Sequence, residues 1–124
     1  MSELLLRSIL PIELTNGNTG RGYSFWASDK SRKNAEAVIR ASSLVRKPFE
    51  FPVTVRVTRM FRKGQRPWDS SSVGRGNWKE IEDALVACGW FADDSYKWIR
   101  STEFDQKKYS EACVMVEVFK FQEG

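Results

Sequence analysis

Between Phe51 and Cys88 the apolar residues change period, and that change constrains the fold more than any other feature of the chain. From Phe51 to Phe61, Val53, Val55 and Val57 alternate with Thr54, Arg56 and Thr58, the pattern of a strand with one buried face. From Trp78 onward, Ile81, Leu85 and Cys88 recur at helical spacing, which predicts a helix of about three turns. Gly89 follows the last periodic residue, where a helix C-terminus favours a residue that tolerates positive φ. A helix of that length spans about 15–18 Å. Asp69 therefore lies at one end of it in sequence and Asp93-Asp94 at the other, and only tertiary structure can bring them together.

The flanking segments supply the remaining elements. Leu4 to Ile12 reads as a strand, ended by Pro11 and by the turn-forming Asn16-Gly17-Asn18. The loop from Thr15 to Tyr23 carries Gly17, Gly20, Arg21 and Gly22 but lacks the spacing of a phosphate-binding loop, so it reads as a surface connection. Ser28 or Ser31 can cap a helix running to about Leu44, with Ala35, Val38, Ile39 and Ser42 on one face. Tyr96 to Phe104 and Ala112 to Phe121 read as strands, separated by the polar turn Asp105-Gln106-Lys107-Lys108. In the last strand Val114, Val116 and Val118 occupy one face, Met115 and Phe119 the other, which predicts a central or doubly covered position. The order strand, helix, strand, helix, strand, strand predicts one α/β (α+β) domain over residues 1–124, with a mixed sheet packed against two helices.

Composition removes several chemistries. The 124 residues contain no histidine, which excludes serine–histidine triads, cysteine–histidine pairs and most zinc sites. Hydrolysis by such a chain would fall to carboxylates, lysine and a hard metal ion. Cys88 and Cys113 belong to no Cys-x-x-Cys pair and read as reduced, buried thiols. No apolar run approaches the roughly 20 residues of a membrane span, and Leu4-Leu5-Leu6 is too short for a signal sequence, so a cytoplasmic protein without membrane contact is expected. The net charge is +4, and Arg56, Arg59, Arg62, Lys63 and Arg66 stand within eleven residues free of acidic side chains. Such a run attracts polyanions, although solvated strand ends look the same in composition. Lys30, Arg32, Lys33 and Arg40 give the first helix a basic face, which is usually merely solvated but can follow phosphates in a nucleic-acid-binding protein.

The run Asp69-Ser70-Ser71-Ser72-Val73, then Lys79, Asp83-Ala84-Leu85, Gly89 and Asp93-Asp94-Ser95 resembles the RusA family, phage- and prophage-associated endonucleases that resolve Holliday junctions. Asn16, Trp26 and the basic helix resemble that family's N-terminal pattern more loosely. The resemblance implies a Mg²⁺-dependent, structure-selective DNA endonuclease, with Mn²⁺ as an alternative ion, acting on four-way junctions as a homodimer. It implies catalytic roles for Asp69, Lys79 and Asp94, and metal ligation by Asp69, Asp94, Asp93 and Asp83. DNA contacts would fall to Arg59, Arg62, Lys63, Arg66, Arg75, Lys30, Arg32 and Lys33. The chain departs from the family pattern at Ser71, which stands where an acidic residue is expected, and at Ser72, which replaces an asparagine. Glu80, Glu82 or Asp83 are the available substitutes; Asp83, four residues beyond Lys79, is expected on its face, and Glu80 and Glu82 elsewhere. Two other readings stay open: a branched-DNA-binding or inhibitor protein that does not cut, and a small interaction module with incidental basic residues.

Overall fold

The computed structural model describes residues 3–15, 25–42, 47–69 and 72–122, with backbone alone for 25–28. Its elements are β1 (Leu4–Leu10), α1 (Phe25–Ala41), β2 (Val53–Phe61), α2 (Trp78–Ala87), β3 (Ile99–Lys108) and β4 (Cys113–Lys120). Four strands form one mixed sheet in the order β1-β4-β2-β3. β4 runs antiparallel to both β1 and β2, and β2 pairs in parallel with β3. This is the expected α+β domain, with β4 in an interior position as its two apolar faces predict. The expected turn at Asn16-Gly17-Asn18, the loop around Gly20-Arg21-Gly22, the Trp26 side chain, Leu44 and Ser71 lie outside the described residues.

The topology explains why both helices share one face. The β1-to-β2 and β2-to-β3 connections step across the sheet in the same direction, and crossovers of one hand then carry their helices to one side. Val53, Val55 and Val57 of β2, Val114, Val116 and Val118 of β4, Ala35 and Ile39 of α1, and Ile81, Ala84 and Leu85 of α2 form one buried cluster. The alternation in β2 therefore faces the helices with its valines, as its sequence requires.

Several boundaries differ from expectation. α1 begins at Phe25, ahead of Ser28 and Ser31, and ends at Ala41. Asp29 pairs with Arg32 at 2.8 Å and Lys33 at 3.1 Å, contacts between residues three and four apart that continue the helix past both serines. β3 starts at Ile99 rather than Tyr96, because the amides of Trp98 and Ile99 close a turn on the Ser95 carbonyl. It then runs through Asp105–Lys108, the expected turn, with Gln106 opposite Arg59 and Lys108 opposite Phe61. An edge strand needs apolar residues on its covered face alone, so polarity there is a poor marker of a turn. The reversal falls between Lys108 and Cys113 instead.

Candidate functional site

α2 is fixed at both ends, and its fixation sets out the site. At its start Asn77 accepts a hydrogen bond from the Thr15 amide at 2.9 Å and donates one to the Glu13 carbonyl at 3.0 Å. This ties the segment after β1 to the first turn of α2. At its end Gly89 adopts φ 85°, the left-handed conformation expected after the last helical turn. The chain then turns through Asp93, whose carboxylate accepts a hydrogen bond from the Ser95 amide at 2.7 Å. Hydrogen bonds to Ser95 hold the Asp93 carboxyl below its ordinary range. Asp93 thus acts as the turn former, and its neighbour Asp94 is left to face α2.

The side chains meet at Lys79. Its Nζ forms an ion pair with Asp94, and stands 3.3 Å from Asp83 and 3.5 Å from Glu82. Among the described residues, Glu82, Asp83 and Asp94 are the carboxylates that converge, with one oxygen of each within 4.8 Å of the others. Asp69 and Asp93 are not members of that group, although both are expected ligands. Lys79, Asp83 and Asp94 come together as expected. Glu82 joins them against expectation, because residues three apart on a helix are neighbours as surely as residues four apart. That i, i+3 spacing was the available signal.

The electrostatics follow from the crowding. The hydrogen bond to Asp94 is the largest influence on the Lys79 ammonium and, with Asp83 and Glu82, holds its proton far above the usual lysine range. Glu82 is half-buried beside the helix; desolvation raises its pKa, Lys79 opposes that, and Asp94 adds to it. Three hard oxygen donors suit Mg²⁺ or Mn²⁺ rather than a thiolate- or imidazole-seeking ion. Six-coordinate Mg²⁺ with bonds of about 2.0–2.1 Å needs neighbouring oxygens about 3 Å apart, so small side-chain adjustments would let these residues hold one. Lys79 itself stands among the three carboxylates as their cation.

Asp69 is exposed, and the segment before it is firmly positioned. Gln106 of β3 accepts a hydrogen bond from the Trp68 amide and donates one to the Trp68 carbonyl, each at 2.7 Å. The Ser72 amide bonds back to the Asp69 carbonyl at 2.9 Å.

The basic residues divide into three groups. Arg59, expected to contact DNA, is buried, a correction to that expectation. Its guanidinium lies 3.6 Å from the centre of the Trp68 ring and donates to the Arg66 carbonyl at 2.8 Å and to Gln106 at 3.1 Å. Burial lowers its pKa against an opposing pull from Glu13. It sits on the helix-facing side of β2 opposite Val114, which the strict alternation of that strand could have revealed. Arg62, Lys63, Arg66 and Arg75 are exposed and make no ion pair among the described residues. On α1, Arg32 and Lys33 share Asp29, and Arg32 also reaches Glu36 at 3.7 Å, so their charge is largely compensated; Lys30 is exposed.

Sequence reasoning also passed over Tyr96 as the start of a strand. It is 71% exposed, two residues from Asp94, with the Arg100 guanidinium 4.8 Å from its ring centre. An exposed ring beside a cation suits stacking on a nucleobase. Fold and site together define a small α+β domain with a lysine-bridged acidic cluster and a separate exposed basic loop. Neither protein-family models nor curated proteins, searched with this chain, produce a match. No described helix is long and apolar enough to cross a membrane.

Proposed function

We propose that the chain is a metal-dependent, structure-selective DNA endonuclease of the cytoplasm acting on branched DNA as a two-fold homodimer. The observation that carries this reading is the convergence of Lys79 with Glu82, Asp83 and Asp94 beside an otherwise ordinary helix end. Without histidine, this is a grouping of acid, base and cation able to serve phosphodiester hydrolysis. Glu82, Asp83 and Asp94 would hold Mg²⁺ or Mn²⁺, which when bound would supply Lewis-acid polarisation of a phosphoryl group and activation of water. Lys79 would hold a phosphate oxygen, and Asp69, which stands outside the acidic group, would be the further carboxylate that the family resemblance implies. Arg62, Lys63, Arg66 and Arg75 would take the flanking backbone. A symmetric four-way junction offers two equivalent strands, which a two-fold dimer matches.

The position of Lys79 also supports the reading of a binder that does not cut. An ammonium already neutralising three carboxylates competes with a dication for them, and Asp69 is absent from the group. Incubation of a labelled four-way junction with protein and Mg²⁺, beside binding in metal-free buffer, separates the two. Symmetric incisions that disappear in Asp94→Asn, with binding retained, support the nuclease. Salt-sensitive binding without incision supports the binder, and neither result removes DNA from the account.

A further inference from the structure

The face of the sheet turned away from the helices carries one row of charges that runs across all four strands. Arg7 of β1 lies opposite Glu117 of β4, Glu117 opposite Arg56 of β2, and Arg56 opposite Glu103 of β3. Arg7 reaches Glu117 at 2.9 Å, and Arg56 reaches Glu103 at 3.5 Å. Glu117 is covered by these neighbours, whereas Arg7, Arg56 and Glu103 remain open to solvent. Leu4, which pairs with Phe119, and Ile9, which pairs with Met115, lie on the same face, and both are exposed large apolar residues. On the same face Thr58, Met60, Cys113 and Glu117 are buried, so the exposed groups are those of the two outer strands and Arg56.

The order plus, minus, plus, minus becomes its own complement when reversed. We infer that this face docks on the same face of a second copy, about a two-fold axis nearly parallel to the strands. That axis lays β1 over the partner's β3 and β4 over the partner's β2, so the exposed Arg7 meets an opposite charge on the partner's β3, while Glu117 stays covered within its own chain. An axis across the strands would instead set each residue over its own copy, and every contact would be repulsive. Sheets packed face to face lie about 10 Å apart, within reach of arginine and glutamate side chains from both sides. The inference gives a surface to the two-fold dimer of the preceding proposal. A dimer formed through another face would overturn it and leave the nuclease reading intact, while a dimer of this geometry that cuts nothing would do the reverse.

Arg7 and Glu103 provide the test, because three strand spacings of about 4.8 Å put them about 14 Å apart within one chain. Sedimentation equilibrium should show a dimer that weakens as salt rises. Arg7→Glu and Glu103→Arg should each weaken it at least about tenfold, the lower end for close interfacial charge pairs. The double variant should recover dimerisation to within about threefold of the parent. Its thermal stability should nevertheless be the lowest of the set, since both changes create like-charge neighbours within the chain. A wild-type monomer at all concentrations, or a double variant that associates no better than the singles, overturns the inference. Should a charge reversal prevent folding, a short bismaleimide gives the second reading, the native thiols being buried. Arg7→Cys combined with Glu103→Cys should be linked into a covalent dimer and Arg7→Cys alone should not; linking of the single variant places β1 over β1 and overturns the inference.

Discussion

Arg59 is held by the Trp68 ring on one face and by two acceptors at its Nη1, the Arg66 carbonyl and Gln106. Its role is to fasten the segment carrying Asp69 to the end of the sheet. Arg59→Ala should cost about 2–4 kcal/mol in chemical denaturation, from lost charge-assisted hydrogen bonds and stacking. Arg59→Lys should recover part of it, since an ammonium keeps the charge without the planar fork. The salt dependence of DNA binding should not change in Arg59→Lys, which distinguishes a fastening residue from a phosphate contact. Gly76 makes a second residue-level case. A Cβ there would meet the Thr15 carbonyl oxygen at 1.7 Å, so Gly76→Ala must push the segment after β1 off the start of α2. A loss of about 2 kcal/mol or more is expected, beyond the usual cost of overpacking because the obstacle is backbone. A variant as stable as the parent would show that the two segments are not in contact. The inward turn of Arg59 was legible in the alternation of β2, though not in the charge run itself. The role of Gly76 was not, because a glycine in a glycine-rich stretch does not say which neighbour presses on it.

Elements were legible wherever burial imposed a period, and blurred wherever it did not. β2 and α2 carry their boundaries in Val53–Val57 and in Trp78, Ile81, Leu85 and Gly89, because each must bury one face. β3 was misplaced at both ends because an edge strand is free to be polar, and its register is set by β2 rather than by its own composition. Of the candidate site, the pairing of Lys79 with Asp83 was readable from helical spacing. Asp94 reaches it only through the turn at Asp93 and Ser95, which no local periodicity encodes. The two thiols test the core formed by these elements. Cys88 closes α2 and Cys113 opens β4, both buried, and desolvation raises both above their ordinary value. A thiol whose folded pKa is raised favours the fold fully below its unfolded pKa, and that contribution is lost as pH rises through the folded value. Alkylation by iodoacetamide at neutral pH should therefore be slow in the native protein and rapid in denaturant. Stability should decline from about pH 9 upward, less steeply in Cys88→Ala with Cys113→Ala once both curves are scaled to their maxima. Rapid native alkylation would place a thiol at the surface.

At the scale of the whole molecule, charge is sorted by surface. The helix-free face of the sheet balances its charges in a row, α1 balances most of its own along the helix, and the excess of cations collects in the loop after β2. That loop is rigid enough to present them. The Arg62 amide bonds to the Gln65 side chain at 2.9 Å, Gln65 donates to Glu13 at 3.0 Å, and Gly64 takes the left-handed turn at φ 94°. A polyanion approaching this molecule therefore meets Arg62, Lys63 and Arg66 as uncompensated charges, while Arg32 and Lys33 already have carboxylate partners. Replacing Arg62, Lys63 and Arg66 with alanine should weaken binding to a four-way junction and make the slope of log K against log salt less negative by roughly 2–3, at about 0.9 per phosphate contact. Replacing Arg32 and Lys33 should change the slope by less than one such contact, because releasing them from Asp29 offsets what phosphate binding would add. Fluorescence anisotropy across a salt series, without divalent metal, measures both. Equal slopes for the loop variant and the parent would remove the loop from the DNA, and a larger change in the α1 variant would move the contact surface to that helix.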